Sequence, residues 1–241
     1  MFKTKQTLKN ILAINIGLLV ILNLASCQNS EEEVPDVSHI KVDFKIQRAE
    51  QKLITADSLQ AIQHYLGENP DFAKAFHYPD PVILSKALFK LSKDPYMDTL
   101  FQICNEVYQN DILEADFRDA FRRIKYYYPD FEAPDIYTII TGFQYDLIVE
   151  DKVALVGLDF YLGNAHSHYR PDVRELPEYI WRRYDVSTLV PNTVRFMSSE
   201  FIAQNPKDKT MLNQMIAYGK VYYFMEKVLP NVPDSVIIGY T

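Results

Sequence analysis

DKVALVGLDFYLGNAHSHYRPDVRELPEYIWRR, running from Asp151 to Arg183, is the stretch around which the rest of the chain can be placed. Its apolar run Val153–Gly157 is too short for a helix and carries β-branched residues, so it reads as a buried strand. Residues 157–163, Gly-Leu-Asp-Phe-Tyr-Leu-Gly, turn out of that strand. A polar loop with His166 and His168 follows. Leu176 to Arg183 then opens a helix with Pro177 at an early position, where its missing N–H costs little. Just upstream lie two more β-rich runs, Ile136–Thr141 and Tyr145–Val149, separated by a turn containing Gly142. The three runs predict a meander. Alternation at Ile40, Val42, Phe44 and Ile46 predicts a further strand beside it with one buried face.

Helical spacing governs the rest. Asp57 and Ser58 are N-cap candidates for a helix to Leu66, ended by Gly67 and Pro70. Shorter helices are predicted over 72–78 and 82–91, then longer ones over 96–108 and 112–127. In the last, Arg118, Arg122, Arg123 and Lys125 read as the solvated side. Further helices are predicted over 191–203 and 209–229. In the second, Met211, Leu212, Met215, Ile216, Val221, Tyr222, Met225 and Val228 form a broad apolar face, and Gly219 predicts a close helix contact. The expected fold is α+β: mostly helical, with a small sheet of three to four strands.

The chain of 241 residues has 48% hydrophobic and 24% charged residues, an ordinary globular profile with room for a core. Its net charge is −7; without the first 26 residues, 22 basic groups face 32 acidic ones, or −10. An acidic body with no basic stripe excludes nucleic acid as the expected partner, and electrostatic binding to anionic lipid with it. Membrane contact is expected from the N-terminus instead. Lys3, Lys5 and Lys9 precede the apolar run Ile11–Leu22, the layout of a secretory signal. Leu24-Ala25-Ser26-Cys27 resembles a bacterial lipobox, so Cys27 is the expected site of lipidation and the membrane anchor. The expected organisation is a signal peptide over 1–26, a lipidated cysteine and acidic tether over 27–37, and one domain over 38–241. Cys104, the other cysteine, lies on an apolar helical stripe and is expected to be packing.

Several segments together resemble the GldB-type gliding-motility lipoproteins. They are Ala120-Phe-Arg-Arg-Ile-Lys-Tyr-Tyr-Tyr-Pro-Asp130, Val156-Gly-Leu-Asp-Phe-Tyr-Leu-Gly163, Leu176-Pro-Glu-Tyr-Ile180 and Met215-Ile-Ala-Tyr-Gly-Lys-Val-Tyr-Tyr-Phe224. Pro233-Asp-Ser235 and Gly239-Tyr-Thr241 also fit. The resemblance implies a membrane-anchored component needed for gliding, in the bacterial envelope and at the outer membrane. It also implies a further helix after Thr241, which is expected to be missing here. The acids after Cys27 resemble a lipoprotein surface-export signal, and serve equally as a soluble spacer. A remoter likeness to zincin peptidases implies a scaffold whose ligand helix corresponds to Val194-Arg-Phe-Met-Ser-Ser-Glu-Phe-Ile202. HExxH occurs nowhere and no histidine follows His168, so the scaffold is expected without its metal motif.

Candidate chemistry is sparse. His166 and His168, two apart in a loop, point the same way if extended, and Asp159 or Asp172 would add an oxygen to a metal site. Asp159 and Glu178 form an imaginable carboxylate pair, but no nucleophile or base accompanies them. Asp159 equally suits a turn hydrogen bond, and Glu178 a helix first turn. An interaction surface is expected from Asp159, Tyr161, Tyr169, Glu178, Tyr179 and Trp181, with the Tyr126–Tyr128 run beside it. The reading is a non-catalytic, lipid-anchored assembly component with a protein partner and no cofactor beyond the lipid on Cys27. Two alternatives stand: a divergent zinc hydrolase at His166 and His168, and a glycan- or peptide-binding surface lipoprotein.

Overall fold

Val153–Gly157 is a strand with all five residues buried, the pattern of a strand covered on both faces. A computed structural model describes residues 33–109, 112–163, 177, 180, 183–202 and 207–239. Asp36–Thr241 forms one compact unit. Its sheet has four strands: β1 (Ile46–Arg48), β2 (Asp135–Ile139), β3 (Leu147–Val149) and β4 (Val153–Gly157). Their spatial order is β1-β2-β4-β3. β4 runs parallel to β2, with Asp135 opposite Val153 and Ile139 opposite Gly157. β1 is parallel to β2 on one side, and β3 is antiparallel to β4 on the other.

The meander expected from sequence is therefore corrected. β4 inserts between β2 and β3, because β2 and β4 are the runs with apolar residues on both faces and take the centre. β3 has only Leu147 fully buried and takes the edge. The strand expected from Ile40 is corrected too, since pairing begins only at Ile46. Arginines take the carbonyls upstream of it. Arg122 Nε donates to the Ile40 carbonyl at 3.1 Å, and Arg118 lies over the Phe44 ring at 5.0 Å. These two cations, read as a solvated face, clamp the extended entry segment instead. Arg123 is buried and donates to Asp119 at 3.0 Å.

Helices cover both faces of the sheet. On one side lie α1 (Ala49–Leu53), α2 (Leu59–Glu68), α3 (Pro70–Ala75) and α4 (Pro81–Ser92). Their Leu53, Ile62, Phe72 and Leu84 pack with Tyr137, Ile139, Val153 and Leu155. On the other side lie α5 (Pro95–Val107), α6 (Ile112–Tyr127), α7 (Val186–Phe201) and α8 (Met211–Val228), with the short α9 (Asp234–Ile238) behind. Leu100, Cys104, Phe117, Phe121, Val194 and Met225 pack there with Ile136, Ile140, Ala154 and Val156. The period-two alternation of β2 and β4 thus divides two cores. Cys104 is fully buried.

Caps set the helix starts. Ser58 accepts from Ala61 N at 3.3 Å, as expected from sequence. Asp80 and Asp94 accept from Val82 N and Tyr96 N, with Pro81 and Pro95 as first helical residues. α7 starts at Val186, not at Pro191, because Asp185 and Thr188 form a capping box. The α+β expectation holds: a mainly helical domain around a small mixed sheet.

Gly157 ends β4 where the Tyr145 backbone crosses it, and a methyl group there would overlap the Tyr145 carbonyl oxygen. Backbone cannot swing aside as a side chain can. Gly157→Ala is expected to cost about 1–3 kcal/mol in urea denaturation. An unchanged midpoint would show that the 141–146 loop gives way.

Candidate functional site

The three parallel strands end at one edge of the sheet, at Arg48, Ile139 and Gly157, and the segments that leave them converge there. β4 runs into a 3-10 turn, Leu158–Tyr161, in which all four residues are buried. Asp159 is fully buried and caps the loop after β2. It accepts from Phe143 N at 2.7 Å and from Thr141 N at 3.2 Å. Thr141 Oγ1 then accepts from Gln144 N and Tyr145 N, each at 3.2 Å. Burial pushes the Asp159 carboxyl up to about 6, against the lowering effect of its backbone donors. Its work is to organise a turn.

A second buried acid sits one strand away. Glu50, in the first turn of α1, is fully buried. Arg48 Nε–H donates to its Oε1, and the Thr138 hydroxyl donates to its Oε2 at 2.7 Å. Arg48 is itself held by the Tyr108 carbonyl at 3.0 Å and Asn105 at 3.3 Å. Burial raises the Glu50 carboxyl above its ordinary value, while Thr138 and Arg48 lower it. Beside it opens a cavity of about 360 Å³ lined by Glu50, Leu53, Leu84, Leu88, Ile139 and Thr141, among others. Its size and largely apolar walls fall within the range of small-molecule pockets. Both acids nearby have structural partners already, and neither is paired with a nucleophile or base among the described residues.

The predicted surface is corrected at two positions. Asp159 and Tyr161 are 0% and 1% exposed, because the turn after β4 dives between α5 and α7 rather than over them. The Tyr161 hydroxyl is buried beside Asn192, and burial raises its pKa. The Asp159–Glu178 pairing, the His166 and His168 metal site with Asp172, and Tyr169, Tyr179 and Trp181 all involve positions outside the described residues, as does Cys27. Among the described residues, no group of three or more His, Cys, Asp and Glu side chains is placed to hold a metal ion. Tyr126, Tyr127 and Tyr128 are exposed, with Tyr128 leaning on Phe201 at 4.8 Å between ring centroids.

The largest departure is in α8. Only Phe224, Met225 and Val228 are buried there. Met211, Leu212, Met215, Ile216, Tyr218 and Tyr223 are 48% to 76% exposed. The close helix contact expected at Gly219 is corrected as well: among the described residues, nothing lies within 4 Å of a Cβ built there. A helix apolar all round ordinarily has a second neighbour. The apolar surplus is visible in the sequence, but it does not say which side meets the core.

Among the described residues, fold and site together define a helix-covered α+β domain with buried structural acids at one sheet edge and an uncovered apolar helix face. The family model described as gliding motility protein GldB matches residues 30–241, and the chain belongs to that family. Membership makes it a gliding-motility lipoprotein by class and associates it with the envelope. Neither a curated relative nor a solved structure matches. No helix among the described residues is long and apolar enough to cross a membrane.

Proposed function

We propose that this chain is a non-catalytic assembly component of a gliding-motility machine, anchored at the outer membrane through lipid on Cys27. It engages a protein partner through the outward face of α8. The family supports the motility setting, and the lipobox-like Leu24–Cys27 run supports the anchor. The observation that carries the binding role is the exposed row of Met211, Leu212, Met215 and Ile216, far larger than scattered surface apolar residues. The two buried acids support a structural rather than a catalytic use of the sheet edge, since each already has its donors.

The test is Met215→Lys combined with Ile216→Glu in the full chain. Both side chains are exposed, so stability is expected to stay within about 0.5 kcal/mol of the parent. On native gels of gently extracted envelopes, the parent is expected in a species larger than one chain and the variant as a lone chain. An unchanged large species in the variant would remove this face from the function.

A further inference from the structure

The uncovered face of α8 has a shape of its own. At 100° per residue, Tyr218, Met211, Met215, Gly219, Leu212, Tyr223 and Ile216 follow one another around an arc of about 160°, with half-buried Tyr222 and exposed Glu226 entering it only past Gly219. Asn213, Ala217 and Val221 lie opposite and are half-buried against the domain, continuing toward Phe224 and Val228 in the core. Gly219 sits inside the outward arc, between Met215 and Leu212. Glycine is a poor helix former, and no neighbour among the described residues uses the space it leaves. It makes a shallow notch in an apolar ridge, with Met215 one turn before it and Tyr223 one turn after.

We propose that this face is an isologous interface, and that the partner covering it is a second copy of this chain. The inference rests on the assembly role proposed above and names its partner. Three observations favour a second copy. The area is right: six side chains of roughly 200 Å² each, exposed to the degree found here, offer about 700 Å², near the 800 Å² or so that one partner contributes to a standard interface. The relief is self-complementary. With Gly219 on a two-fold axis and the helices antiparallel, Met215 of one copy meets Tyr223 of the other, and the reverse contact repeats it. Sulfur against an aromatic ring is a favourable pairing, and small residues at a crossing let helix backbones approach closely. The charge is also right. Glu226, exposed two turns past Gly219 toward the C-terminal end of the helix, has Lys227 at 3.7 Å, so the stretch around Gly219 meets itself without like charges at its centre. A bilayer is the poorer occupant, because the rest of the chain is acidic and an anionic lipid surface would repel it.

The experiment places one thiol at the axis. Gly219→Cys is made in the full chain, where the space is open, and the protein is oxidised mildly in envelopes of producing cells. Ser199→Cys, an exposed position on α7, is the control. The expected product for Gly219→Cys is a reducible species of twice the chain mass. It should be several-fold above the Ser199→Cys control and lost when Ile216→Glu is added. A cross-linked species of another mass would overturn the second copy while leaving α8 as a protein-binding face. No cross-link at all would overturn the second copy and leave the α8 binding role to the native-gel test above, and a cysteine reachable by maleimide only after detergent extraction would assign the face to the membrane instead. Equal dimer from the control would mean collision rather than an interface, and would also overturn the proposal.

Discussion

Asp159→Ala is expected to destabilise the domain by about 2–4 kcal/mol at neutral pH, read as a shift of the urea midpoint. The carboxylate accepts from Phe143 N and Thr141 N inside the protein, and both donors would be left without a partner. Each orphaned buried N–H costs about 1–3 kcal/mol. Relief of the buried charge offsets part of this, so the total stays below the sum of two full penalties. Asp159→Asn keeps one acceptor oxygen and is expected to cost less. The same residue gives a pH signature. Its folded pKa is about 6 against an ordinary 3.8, so between these values the folded state holds a proton that the unfolded state has lost. Stability from this group therefore falls as pH rises through that window and is flat above it. At about 1.4 kcal/mol per pH unit of linkage, the parent should gain about 2 kcal/mol over Asp159→Asn between pH 6 and 4. A difference between the two that does not change with pH would mean the carboxyl is solvated.

That burial was not legible in the sequence, and the reason is physical. A lone aspartate in a turn looks solvated unless its donors are known, and these come from residues 16 and 18 positions away. Glu50 is the same case: its partner Thr138 is 88 positions on, across the sheet. The strands themselves were readable, because Val153–Gly157 and Ile136–Thr141 are apolar on both faces. Their order was not, since a short loop from β2 to β3 permits a hairpin as readily as the insertion of β4. Ile40 to Ile46 alternates as a strand does. Alternation reports one buried face but says nothing of where the carbonyls go, and Arg122 takes one of them. In α8 the apolar residues are too many for one face, a surplus that composition shows and periodicity cannot assign.

Arg48→Ala is expected to cost about 3 kcal/mol near neutral pH, because it leaves the fully buried Glu50 without its cation. Breaking a buried pair by removing one partner typically costs about 3–5 kcal/mol. The lower end applies here, since the Arg48 side chain is 28% exposed and its charge is already partly solvated. Some of the loss comes from its bonds to Tyr108 and Asn105, which pH does not touch. The remainder does respond. Burial already raises the folded Glu50 carboxyl, and removing Arg48 raises it further. An acid raised in the folded state loses stability as pH rises from its unfolded to its folded pKa, so the variant's defect should shrink as pH falls through that window and Glu50 takes up a proton. Adding Glu50→Gln should recover most of the pH-dependent part, because a neutral amide oxygen still accepts the Thr138 hydroxyl. Urea midpoints for the parent, Arg48→Ala and the double variant at about pH 7 and about pH 5 separate the two contributions. If the single variant loses the same amount at both pH values and the amide rescues nothing, Glu50 is not held as a buried charge, and Arg48 serves only to tie β1 to the end of α5.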